Sequence, residues 1–127
     1  MRLDHAKLWG EGRYIDLWTI PHILAGVLLC GFLYWFGISL PINIIITSII
    51  VIGWEFFEFH FLGVHEHLTN SFIDILVALI GFAITFSFII KYSIEIVLPY
   101  LFILTIIYIV LNAWGFLAYK RKKLEQN

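Results

Sequence analysis

Four long apolar stretches, each of roughly twenty residues or a little more, leave this chain few ways to fold. They lie at about 17–36, 41–62, 72–91 and 96–119. An α-helix needs roughly 20 residues to cross about 30 Å of hydrocarbon. The strands of a membrane β-barrel would alternate in polarity, and these stretches do not. Inside a bilayer every backbone N–H and C=O must be satisfied within the protein, which a helix does along its own length. The expected fold is an all-α membrane protein, a bundle of four transmembrane helices in a single domain over 1–127. The breaks fall at Gly37 to Pro41, Gly63 to Asn70 and Lys91 to Glu95. Pro21, Pro41 and Pro99 suit first-turn positions, where a missing N–H costs little.

Composition agrees. Hydrophobic residues make up 61% of the chain and charged residues 13%, and the mean hydropathy is +0.94. A soluble domain has about half its residues apolar and about a quarter charged. Too little polar surface remains to cover a water-soluble globule. That excludes a soluble enzyme, a disordered chain and a nucleic-acid binder, and a net charge of −1 offers phosphates no attracting field. Cys30 has no partner for an internal disulfide and reads as a small packing residue.

The first sixteen residues are polar and mixed in charge, with Trp9, Tyr14 and Trp18 interleaved, as at a headgroup interface. The first apolar run starts too late and continues too far for a signal peptide, so this segment reads as a mature N-terminus. With four spans both termini share one side. Arg2, Lys7, Arg13, Lys120, Arg121, Lys122 and Lys123 lie there, against Lys91 alone on the other. The positive-inside rule then places both termini in the cytoplasm of a multi-pass cell-membrane protein. The cluster at 120–123 reads as a flank touching anionic lipid, and Lys91 with Glu95 as an interfacial anchor.

An ionisable residue at mid-bilayer costs roughly 2.5–3.5 kcal/mol on the insertion scale and usually faces the bundle interior. Here such residues converge on the cytoplasmic leaflet. Asp16 and His22 open the first helix, and Glu55, Glu58 and His60 end the second. His65, Glu66 and His67 follow in the loop, Asn70 and Asp74 open the third helix, and Asn112 sits about 12 Å into the fourth from Lys120. Glu55 shares a face with Glu58, and Asn70 with Asp74. Gly26 follows His22 at i+4, and Ala78 and Gly81 follow Asp74, so close helix approach would hold carboxylates near the imidazole. Crowded carboxylates in a low dielectric cannot all stay charged unless a cation or His22 neutralises them.

Plainer readings compete. Asp16 suits a helix start, His22 an interhelical hydrogen bond, and Glu58 and His60 a position shallow enough to reach headgroup water. Glu55 and Asp74 resist this, being flanked by apolar residues more than a turn inside.

The segments His22-Ile-Leu-Ala-Gly26, Trp54-Glu55-Phe-Phe-Glu58-Phe59 and Asn70-Ser-Phe-Ile-Asp74-Ile-Leu-Val-Ala78-Leu-Ile-Gly81 together resemble the VanZ-like membrane proteins, and above all their small YjdF-type relatives. The resemblance covers roughly residues 16–81. It departs at Leu17, where a basic residue is usual, at His22, which follows Asp16 by six positions rather than by four, and at Asn70. It implies a related helical bundle with Glu55 and Asp74 in equivalent places, in a group associated with lowered susceptibility to teicoplanin.

The leading functional expectation is a pocket for a lipid or lipid-linked envelope molecule, with Glu55, His22 and Asp74 as the candidate acid/base group and Asp16, Glu58, Asn70 and Asn112 as headgroup-binding residues. No nucleophile stands out, Ser71 being the nearest hydroxyl. No metal is assigned; Glu55, Glu58, His60, His65, His67 and Asp74 are the candidate ligands, without the Glu-x-x-His pairs of di-iron bundles. The alternatives are a non-catalytic membrane subunit or scaffold, a homo-oligomer among them, and a proton- or ion-coupled transport component.

Overall fold

The computed structural model describes residues 8–10, 12–63 and 67–127. Its regular elements are all helical, and no strand occurs among the described residues. Helix α1 spans Thr19–Trp35, α2 Leu40–Phe57 with a π-helical turn Glu58–Leu62 continuing it, α3 Leu68–Tyr92 and α4 Ile94–Glu125. Three stretches, Leu40–Leu62, Leu68–Tyr92 and Ile94–Glu125, are long and apolar enough to cross a membrane. Helix α1 is apolar but has 17 residues, about 26 Å at 1.5 Å per residue.

Helix ends differ from the sequence expectation in three places. Helix α3 begins at Leu68 rather than near 72, because Thr69 and Asn70, polar enough to read as loop, spend their side chains on the preceding chain. Thr69 Oγ1 donates to the Arg13 carbonyl at 2.7 Å and Asn70 Nδ2 to the Tyr14 carbonyl at 3.0 Å. Helix α4 runs past 119 through the basic cluster to Glu125; Lys and Arg are good helix formers and their charge suits a C-terminal turn. Its start is also earlier, so Pro99 lies inside the helix instead of in its first turn. The break between α3 and α4 is the single residue Ser93. Pro41 does occupy the first turn of α2.

Packing is organised around α1, which touches all three other helices and α3 most extensively. Glycines explain the closeness. A Cβ at Gly26 would strike the backbone of Ala78, and one at Gly81 would strike the Ile23 carbonyl. Without those methyl groups the two backbones meet directly, the usual way for helices to associate where lipid removes the hydrophobic drive. At the terminal end, Gly115 leaves room for the rings of Trp9 and Trp18, which meet edge to face at 4.7 Å, with Trp114 5.3 Å from Trp9.

Polarity is inverted relative to a soluble protein. Thr19, Asn43, Thr47, Glu55, Asn70, Asp74 and Thr85 are buried, whereas Ile45, Ile49, Phe56, Ile103, Ile106 and Val110 are exposed. Burying a polar group is unfavourable unless it is bonded, and exposing so many large apolar side chains suits a lipid surround. In the half away from the termini, Asn43 Nδ2 donates to the Cys30 carbonyl at 3.0 Å and Thr47 Oγ1 to Asn43 Oδ1 at 3.2 Å. The first bond fastens α2 to α1, and the second, within α2, satisfies the other end of the Asn43 amide.

Candidate functional site

The approach to α1 is built on Asp16. Its Oδ1 accepts from the Trp18 N–H at 2.9 Å, and its Oδ2 from the Gly12 N–H at 2.9 Å and Asn70 Nδ2 at 3.1 Å. The Asp16 N–H in turn donates to Thr19 Oγ1 at 3.3 Å. A carboxylate is the natural acceptor for donors left over at a helix start. Asp16 and Asn70 are thus committed to each other and to the chain that leads into α1.

One turn on, His22 Nδ1 lies 2.7 Å from the Trp18 carbonyl oxygen. A carbonyl only accepts, so this contact places a proton on Nδ1. The other ring nitrogen, Nε2, lies 3.0 Å from Glu55 Oε1 on α2. Two lone pairs would repel at that distance, so the contact requires either a shared proton or a cation between the two atoms. Asp74 on α3 presents Oδ2 3.7 Å from Nδ1, too far for a hydrogen bond. Its Oδ1 accepts from Thr19 Oγ1 at 3.4 Å. His22 is 11% exposed, Glu55 8% and Asp74 1%. Three helices therefore bring an imidazole and two carboxylates together inside the bundle.

Beside this cluster runs a groove of about 350 Å³. It exists because α2 and α4 both pack on α1 but not on each other. Its far part is walled by Leu29, Phe32, Leu33 and Ile50, and its near end by Trp18, His22, Glu58, Tyr108 and Asn112. From His22 to Leu33 it follows α1 for about 16 Å. Glu55 and Asp74 do not line it. They sit behind His22, whose Nε2 is buried against Glu55, so the carboxylate that lines the groove, Glu58, is not one of the two that face the imidazole. A second cavity, about 510 Å³, lies between α3 and α4 at the opposite end and is lined mainly by Ile84, Phe88, Val97 and Leu104.

The remaining candidates scatter. His60 is exposed and stacks its ring on Phe56 at 5.9 Å, and His67 is exposed at the start of α3. Neither joins Glu55 and Asp74; the only group among the described residues able to converge on one ion is His22, Glu55 and Asp74. The π-helical turn that follows Phe57 changes the helical phase and takes His60 outward. His65 and Glu66 lie outside the described residues. Asn112 lines the groove with its Nδ2 on the Tyr108 carbonyl at 2.8 Å. Sequence reasoning missed Thr19, Trp18 and Tyr108. Thr19 stands at i−3 from His22 and so shares its face, which was the available signal.

No protein-family model matches this chain, and comparison with curated proteins and with solved structures yields no match.

Proposed function

We propose that this is a four-span, VanZ-like cell-membrane protein that holds a lipid or lipid-linked envelope molecule in the groove between α2 and α4. Its headgroup meets Glu58, Asn112 and the His22 ring, and its tail lies along Phe32 and Leu33. The observation that carries the reading is the shape of that groove: long, apolar, open between two helices that do not pack together, and polar at one end only. Amphiphiles have the same division. A ligand site is typically a mainly apolar concavity of some 300–1,000 Å³ with a few placed polar groups.

Binding fits better than headgroup chemistry. Both His22 ring nitrogens are engaged, one by the Trp18 carbonyl and one by Glu55, and no hydroxyl or thiol nucleophile lines the groove beside them apart from the Tyr108 phenol. The excess of basic residues beside both termini supports an orientation with the polar end in the cytoplasmic leaflet.

Native mass spectrometry of the detergent-purified chain tests the groove. A retained lipid mass should be lost from Ala25→Phe, which fills the groove from α1, and weakened in Glu58→Gln. Equal retention in Ala25→Phe, or no retained lipid in the wild type, would sink the reading. Orientation is tested separately. In a Cys30→Ser background, Ser39→Cys should label from outside intact cells and Gln126→Cys only after lysis; the reverse pattern inverts the topology.

A further inference from the structure

We infer that His22, Glu55 and Asp74 form a binding site for one divalent first-row transition-metal ion, on the side of the His22 ring where Glu55 and Asp74 lie behind the groove. One ligand atom from each residue lies within 4.8 Å of the others. The spacing between His22 Nε2 and Glu55 Oε1, 3.0 Å, suits two ligands of one ion as well as it suits a hydrogen bond, because metal–N and metal–O bonds are about 2.0–2.2 Å.

Two further observations point to a cation. Asp74 is 1% exposed, and its Oδ2 receives no hydrogen bond from any described residue. A buried carboxylate oxygen without a donor is costly, and a metal ion supplies what is missing. The second is the orientation of His22. A metal-bound histidine usually donates its other ring N–H to a carbonyl or carboxylate, which fixes the tautomer and aims the ligating nitrogen. The Trp18 carbonyl does this at 2.7 Å, leaving Nε2 to offer its lone pair.

Charge and donor type set the metal class. Two carboxylates and a neutral imidazole balance a divalent ion inside an apolar bundle. Imidazole with carboxylate suits Zn, Fe or Mn rather than Ca or Mg, which take oxygen alone. The ion would tie α1, α2 and α3 together one helical turn from where Gly26 and Ala78 bring α1 and α3 close. This site does not require an amphiphile in the groove.

The test uses the full chain in detergent, stripped with chelator and titrated with Co²⁺, then with competing Zn²⁺. One Co²⁺ per chain with visible ligand-field bands is expected. Glu55→Gln and Asp74→Asn should each weaken binding by about 100-fold or more, since even second-shell changes cost 10–100-fold. Glu58→Gln, and His60→Ala combined with His67→Ala, should bind as the wild type does. Absence of stoichiometric uptake by the folded wild type overturns the site, as does uptake unchanged in Glu55→Gln and Asp74→Asn or lost in the variant lacking His60 and His67. If the ligand variants do not fold, X-ray absorption on the Co²⁺-loaded wild type decides: one imidazole nitrogen with oxygen neighbours supports the site, and any other shell overturns it. Lipid retention with no metal uptake would refute this inference and leave the groove reading standing.

Discussion

The His22 imidazole and the Glu55 carboxylate stand 3.0 Å apart on two helices, α1 and α2, that share a limited interface. Removing one member of a buried pair leaves the other charge or lone pair without compensation, at about 3–5 kcal/mol. Unfolding of His22→Ala and Glu55→Ala in mixed micelles should each show a loss of that order. The double variant should lose clearly less than the sum, because it strands no partner. Losses that add to within about 0.5 kcal/mol would mean that the two residues do not interact.

Gly26 and Gly53 should respond oppositely to a larger side chain. Gly26 lies against the Ala78 backbone, whereas nothing stands within 4 Å of a Cβ at Gly53. Gly26→Val forces α1 from α3, with a cost of at least the 1–3 kcal/mol typical of overpacking, and draws His22 away from Asp74. Gly53→Ala sits mid-helix on an open face and should be neutral or gain up to about 1 kcal/mol. Thermal unfolding of the two variants side by side separates a packing requirement from an incidental glycine.

Much of this arrangement is legible in the sequence, for a physical reason. Crossing hydrocarbon demands about twenty apolar residues, so the spans at 41–62 and 72–91 stand out from length alone. Up-and-down connectivity then brings Asp16, His22, Glu55 and Asp74 to one end, and small residues at i+4 mark where helices can close up. Rotation is what spacing leaves open. Glu55 and Glu58 share a helical face broadly, yet the first is buried behind His22 and the second lines the groove. That difference is set by the close α1–α3 contact and by the π-helical turn at Glu58, neither of which a repeat of i, i+3 and i+4 encodes. The helical state of Thr69 and Asn70 depends on carbonyls more than fifty residues away, beyond any local pattern.

Ser93 carries the turn between α3 and α4 with φ 74° and ψ 158°. That combination is almost confined to glycine and costs other residues about 1–3 kcal/mol. Ser93 is exposed, so removing its side chain strands nothing in the core. Ser93→Gly should raise the unfolding midpoint by an amount corresponding to about 1 kcal/mol, and the β-branched Ser93→Val should lower it. A destabilised glycine variant would show that the hydroxyl, not the backbone, fixes the turn.

Asn43 tests whether buried polarity in the other half of the bundle is glue or pathway. It is 0% exposed and bonded to both the Cys30 carbonyl and Thr47, and the bond to Cys30 fastens α2 to α1. Interhelical polar contacts in membranes contribute about 0.6–2 kcal/mol. Asn43→Leu should therefore lose about that much stability, measured by unfolding in micelles. Because Asn43 lies about 18 Å along α2 from Glu55, Co²⁺ uptake and lipid retention should be unchanged, and its loss should add to that of Glu55→Ala to within about 0.5 kcal/mol. A folded Asn43→Leu protein that loses metal or lipid would instead make Asn43 part of a polar path running the length of the bundle, as an ion-conducting protein would need.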